Sequence, residues 1–295
     1  MRSTDALRAD GTLSSLRTHR YVRVSLCAAV LLLGVAVLWH IFTVGPLRSI
    51  SAAYYTPVRS VFVGALFAVA VGLVVLAGRS LRRYLLLLGG MTAPLIALVP
   101  VPLRSDELVR LTGAGCPEGV VRCLPPGATD EIAAGMLAYL VVGGAVLVAS
   151  TVFLALDRAL DRGALVKVAI AAALLAALAV SSATPAFGAV AHYGAAAVFF
   201  LLMAAVAGVH AYAVRSEGVR GPGTSRGYSI AYGLLAALLA ATDLALVALV
   251  ASGSGEALLG EQWLLLVEAA ALALFTAFWV LQTVENWDDP DPSLR

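Results

Sequence analysis

Charge is what this sequence lacks most. Only 13% of its 295 residues are charged and 61% are hydrophobic, whereas a soluble domain carries roughly 25% charged residues. Basic and acidic residues nearly balance, at 20 and 18, and no basic block is long enough to bind nucleic acid. A Walker motif and a dinucleotide fingerprint are also missing. These absences argue against a soluble domain, a nucleic-acid partner and a bound cofactor.

Long apolar runs are what the sequence has instead. A helix needs about 20 consecutive apolar residues to cross a bilayer, and eight segments have that character. They predict an all-α fold, a polytopic transmembrane helical bundle of eight helices. The predicted spans are 22–44, 58–78, 84–103, 132–155, 166–184, 188–214, 229–251 and 263–283.

The basic residues predict the orientation of these helices, because cytoplasmic segments are enriched in Lys and Arg. With both termini in the cytoplasm, only five of the 20 basic residues fall on the outer side. We therefore predict a cytoplasmic tail over 1–21, one membrane domain over 22–283 with an outer loop at 104–131, and a second cytoplasmic tail over 284–295. The five outer basic residues are Arg48, Arg59, Arg104, Arg110 and Arg122.

Cysteine is scarce, with three residues in the chain. Cys116 and Cys123 both lie in the predicted outer loop, which faces the oxidising compartment. We predict a disulfide bond between them; two free thiols are the alternative. Abundant Ala, Leu, Val and Arg are typical of a high-GC bacterial genome, so the predicted location is a bacterial plasma membrane.

Four ionisable residues stand out within the predicted spans, where a charge is costly and usually faces a partner within the protein. All four fall between about 5 and 12 Å from the predicted outer helix ends. Helices six to eight follow one another along the chain and should be neighbours, which predicts a polar pocket with Arg59 as its counter-ion. A structural clip between helices and chance placement at the lipid interface are the alternatives. The four residues are His40, His192, Asp243 and Glu268.

The predicted outer segment before the second helix is also rich in polar groups. The start of that helix carries unsatisfied N–H groups and the positive end of the helix dipole. Together with two arginines it could hold an anion, such as the phosphate or carboxylate of a headgroup. The residues of this segment are Arg48, Ser49, Ser51, Tyr54 and Tyr55.

Three stretches carry a family resemblance: Ser49–Gly64, His192–Phe200, and Glu268 with the aromatic residues Phe275, Phe278 and Trp279. They resemble bacterial multi-pass membrane proteins that have no established activity. More distantly, they are similar to DRAM-like membrane proteins, whose first outer loop has a comparable serine-containing motif. The resemblance implies a membrane protein and no particular reaction.

The chain also resembles the CREST membrane hydrolases, which have Ser, Asp and His in about seven spans. Those enzymes hold zinc with three histidines, two of them one helical turn apart, and no such pair occurs here. Catalytic zinc needs three protein ligands and an open position. His40 and His192 with Asp243 or Glu268 would supply them only if the first helix packs against helices six to eight, so no metal is predicted.

Three functions stay open at this level. The favoured one is a non-enzymatic membrane protein that binds a lipid headgroup or a partner protein through the polar pocket, on the side of the outer leaflet. The second is a membrane-embedded, metal-dependent lipid hydrolase. The third is a proton-coupled small-solute carrier, with Asp243 and Glu268 as the coupled sites.

Overall fold

Helices make up almost all of the chain in the computed structural model, which describes residues 2–78, 80–219 and 221–287, with side chains from residue 17 onward. One turn of 3-10 helix, Ser51–Tyr55, precedes the second α-helix. Two short strands, β1 (Leu103–Arg104) and β2 (Arg122–Cys123), pair antiparallel. The α-helices are α1 Arg2–Thr43, α2 Arg59–Val75, α3 Leu81–Leu98, α4 Ser105–Thr112, α5 Ala128–Leu156, α6 Arg162–Ser182, α7 Phe187–Glu217, α8 Ser225–Ser252, α9 Gly255–Leu259 and α10 Trp263–Glu285.

Seven of these helices are long and apolar enough to cross a membrane: α1, α3, α5, α6, α7, α8 and α10. The predicted all-helical architecture is thereby confirmed, and the helices are those expected of a multi-pass membrane protein. The predicted second span corresponds to α2, which is apolar but has only 17 residues. Eight crossings therefore stay a prediction. Helix α1 also runs back through most of the predicted tail 1–21.

Six helices form a closed ring. Helix α1 packs on α2, α2 on α3, α3 on α7, α7 on α8, α8 on α10, and α10 returns to α1. Helices α5 and α6 pack mainly on each other and contact the ring through α3 and α7. The ring brings α7, α8 and α10 together, so the predicted contact between these three helices is present.

Close packing in the ring depends on aromatic and small residues. On α10, Phe278 and Trp279 are 1% and 2% exposed and meet edge to face, with ring centroids 5.1 Å apart. Helices α2 and α3 approach closely at Gly90, where a Cβ atom would lie 3.0 Å from the carbonyl oxygen of Ala70. Small residues allow such backbone approach between membrane helices.

Helix α3 ends at Leu98, five residues before the end of the predicted span 84–103. The reason is Pro100, because a proline disfavours helical conformation in the residue before it. Val99 accordingly adopts an extended conformation, and Pro102 lacks the N–H that a helix would need. The carbonyl groups of Val99 and Val101 are thereby free to accept hydrogen bonds from side chains.

The predicted outer loop 104–131 is folded onto the bundle rather than irregular. It contains α4 and β2, and α5 already begins at Ala128. The sulfur atoms of Cys116 and Cys123 lie at disulfide-bonding distance, with Cα atoms 5.6 Å apart. The disulfide closes the loop between α4 and β2.

Candidate functional site

Ser51 connects two of the residues predicted to form the polar pocket. Its Oγ atom lies 2.8 Å from Oε1 of Glu268 on α10 and 2.9 Å from Nε2 of His192 on α7. Ser51 and His192 are 7% and 2% exposed. The serine of the 3-10 turn therefore joins two helices of the ring at one end of the bundle.

The carboxylate of Glu268 is held by three donors. Its Oε2 atom accepts from the backbone N–H groups of Ile50 at 2.5 Å and Ser51 at 3.2 Å, and its Oε1 atom accepts from the Ser51 hydroxyl. The first N–H groups of a helical turn have no partner within the turn and bind anions readily. The anion bound at this turn is thus supplied by the protein itself.

His192 has a defined tautomer. Its Nδ1 atom lies 2.7 Å from the carbonyl oxygen of Val99, and because a carbonyl only accepts, Nδ1 carries a proton. Two hydrogen bonds then link Glu268, Ser51 and His192, but the serine supplies only one proton for them. A second proton, on Glu268 or on Nε2 of His192, completes both bonds.

Asp243 differs from the other buried acids. It is 2% exposed, yet neither carboxylate oxygen has a hydrogen-bond partner within the described part of the chain. It lies on α8, nine residues before the helix ends at Ser252. Buried carboxylates are nearly always paired, so an unpartnered one is unusual.

Glu268, Ser51, His192 and Asp243 all line one cleft inside the six-helix ring. Every ring helix contributes to the wall of the cleft. Ligand sites typically combine an apolar wall with a few polar groups. The apolar wall includes Leu33, Phe62, Ile96, Phe199, Phe200, Leu246, Leu272 and Phe275.

Arg59 does not reach this cluster. Its guanidinium lies 2.6 Å from Glu131 on α5, hydrogen bonds to the hydroxyl of Tyr54 and stacks 4.0 Å above that ring. The Tyr54 hydroxyl donates to Glu131 at 3.0 Å. Burial, followed by this hydrogen bond, raises the pKa of Tyr54 to about 12. Arg59 therefore fixes α2 and the 3-10 turn to α5 and is not the counter-ion of the cleft acids.

The remaining residues of the predicted outer segment hold the loops in place. Arg48 pairs with Asp106 of α4 at 2.8 Å. Ser49 Oγ accepts from the Ala52 N–H at 3.0 Å, and the Tyr55 hydroxyl donates to the Val101 carbonyl at 2.8 Å. These contacts set the position of Ser51 beneath the loops.

His40 lies apart from the cluster. It is buried near the end of α1, 4% exposed, and is not among the residues that line the cleft. Within those residues, no three His, Cys, Asp or Glu side chains come close enough to hold a metal ion. The set of His40, His192 and an acid that zinc would require is not assembled.

A second polar network, at the opposite end of the ring, was not predicted. Oε2 of Glu285 lies 2.7 Å from Nε2 of His210 and accepts from the Tyr232 hydroxyl at 2.7 Å, and Arg82 contacts the other ring nitrogen of His210. The sequence interpretation ended the last span at 283 and so left Glu285 in a tail. Continuing α10 by half a turn would have placed an acid near His210.

No family model, curated protein or solved structure matches this chain.

Proposed function

We propose that this chain is a membrane protein that binds a single-chain amphiphile, with the apolar chain in the ring cleft and the polar group at Ser51, His192, Asp243 and Glu268. The observation that carries the proposal is the apolar cleft itself, which all six ring helices line and which contains Ser51, His192, Asp243 and Glu268 among its apolar residues. An apolar wall with a few polar groups suits a ligand that has an apolar chain and a polar group.

We propose eight crossings, with both termini cytoplasmic and the cleft's polar groups toward the outer leaflet of a bacterial plasma membrane. Helix α2 spans about 25 Å, at the lower limit for a crossing helix, and it is a full member of the ring. The distribution of arginines supports the orientation. The cysteine pair supports an outer position for the loop that carries it.

Binding is favoured over hydrolysis at this site. A serine hydroxyl within hydrogen-bond distance of an imidazole nitrogen is the arrangement of a nucleophile and its base. Acyl transfer also needs free N–H donors for the oxyanion. The two N–H groups beside the hydroxyl, those of Ile50 and Ser51, are bound by Glu268 instead, so the carboxylate blocks the position that an oxyanion would need.

The test is to fill the cleft. Ala196 lines it from α7, so Ala196→Trp should weaken binding of tritiated dodecanol to protein in phosphatidylcholine nanodiscs at least tenfold. Val198, on the same helix, is 47% exposed, and Val198→Trp should leave binding unchanged. Empty nanodiscs give the background. Equal binding by the two variants would rule out the cleft as a lipid site.

A further inference from the structure

We infer that the ligand of the cleft carries an amino group and that Asp243 is its counter-charge. The inference rests on the proposed function and narrows the ligand to a single-chain amine. Its basis is the combination of an unpartnered buried carboxylate, an apolar wall and the absence of a fixed positive charge around it.

Asp243 differs from the other acidic residues inside the bundle because its carboxylate has no hydrogen-bond partner among the described residues. Glu268 has three donors, and Glu285 contacts His210 and Tyr232. Glu107 on α4 accepts from the backbone N–H of Arg48 at 3.1 Å. Of the buried acids that the structure describes, only Asp243 has two oxygens without a donor. Both oxygens are therefore free to pair with a group outside the described chain.

The charges that line the cleft indicate which chemical group of a ligand would pair with Asp243. The described lining contains two acids, Asp243 and Glu268, and one histidine, His192, but no lysine or arginine. Both ring nitrogens of His192 already form hydrogen bonds, one with Val99 and the other with Ser51. A carboxylate in an apolar membrane site is costly unless an opposite charge accompanies it. A ligand ammonium would supply that charge, whereas a ligand phosphate or carboxylate would add repulsion.

The wall of the cleft suits the rest of such a ligand. Phe199 and Phe275 line it, with ring centroids 5.7 Å apart. Aromatic faces accept both alkyl chains and ammonium groups. Leu246, one turn beyond Asp243 on α8, and Leu272 on α10 continue the apolar surface. A single alkyl chain can therefore pack on the wall while its amine reaches Asp243.

The decisive experiment compares tritiated dodecylamine with dodecanol in the same nanodiscs. Wild-type protein should bind the amine at least tenfold more tightly than the alcohol. Asp243→Asn should abolish that preference by weakening amine binding about tenfold, and should leave dodecanol binding within twofold. Asp157, exposed at the end of α5, provides the matched control, and Asp157→Asn should behave as wild type.

A second measurement needs no variant. Carbodiimide labelling of the wild-type protein should modify Asp243, and dodecylamine should protect it at concentrations at which dodecanol does not. Equal affinity for the two compounds, or a preference that persists in Asp243→Asn, would overturn the inference and leave the lipid site standing. Failure of both compounds to bind the wild-type protein would count against the proposed function and the inference together.

Discussion

The hydroxyl of Ser51 lies 2.8 Å from the carboxylate of Glu268, across 217 residues of sequence. This contact ties the first loop of the chain to its last long helix and positions Ser51 against His192. The same carboxylate satisfies two backbone N–H groups of the 3-10 turn. Glu268 therefore lines the cleft and also holds the 3-10 turn in place.

The first prediction follows from this dual role. Glu268→Ala should leave the N–H groups of Ile50 and Ser51 without an acceptor, at a cost of about 1–3 kcal/mol for each buried group. Glu268→Gln keeps an acceptor oxygen and should cost less than half as much. Thermal unfolding in detergent, followed by intrinsic fluorescence, measures both. Glu118→Ala, in the exposed part of the loop between α4 and β2, is the control, and similar losses for Glu268→Ala and Glu268→Gln would contradict the assignment.

These residues show which parts of the site can be predicted from the sequence and which cannot. Ionisable residues inside apolar runs identified His192, Asp243 and Glu268, because a charge in a membrane span is costly wherever the helices pack. Ser51 was predicted as part of an anion-binding loop. Its role as the link between His192 and Glu268 depends on the placement of the loop over the ring, and no local pattern encodes that placement.

The partner of Arg59 could not be predicted from the sequence, for the same reason. Its position at the predicted outer start of the second helix suggested the cleft acids as partners, but Arg59 meets Glu131, 72 residues away, through the packing of α5 outside the ring. The end of α3, by contrast, was open to prediction from Pro100 alone. That boundary matters for the site, because it frees the Val99 carbonyl that orients His192.

The second prediction concerns Tyr54, whose pKa is raised to about 12 from an unperturbed value near 10. Because the folded state holds the proton more tightly than the unfolded state, its contribution to stability is complete below pH 10 and is lost as the pH rises toward 12. Absorbance at 295 nm, taken as wild type minus Tyr54→Phe, should show one tyrosine ionising near pH 12. Glu131→Gln should lower that midpoint; a midpoint near 10 in the wild type would contradict the contact.

The third prediction tests the disulfide and the proposed orientation together. A membrane-impermeant maleimide added to intact cells should label Cys116 and Cys123 only after reduction, since the proposed orientation places their loop on the outer side. Cys27 lies within α1 and is partly buried, so Cys27→Ser serves as the background. Labelling without reduction would contradict the disulfide, and labelling only in inside-out vesicles would contradict the orientation.

Loss of the same bond should also lower stability. The two cysteines are separated by seven positions, and closing so short a loop contributes about 2.5 kcal/mol by restricting the unfolded chain. The double variant Cys116→Ser with Cys123→Ser should therefore unfold at a lower temperature than wild type. Wild type under reducing conditions should match the variant, and a difference between them would assign the loss to the serines rather than to the bond.

The last prediction addresses the ring, on which the cleft depends. A Cβ atom at Gly90 would lie 2.8 Å from the Val74 side chain and 3.0 Å from the Ala70 carbonyl oxygen. The second neighbour is backbone, so Gly90→Ala should force α2 and α3 apart and cost about 1–3 kcal/mol, as overpacking does. Gly64, on α2, has no neighbour within 4 Å of such a Cβ, and Gly64→Ala should be neutral or slightly stabilising because alanine favours helix. Thermal unfolding of the two variants measures the difference. If Gly90→Ala is as stable as Gly64→Ala, the two helices do not approach at this position and the wall of the cleft is built differently.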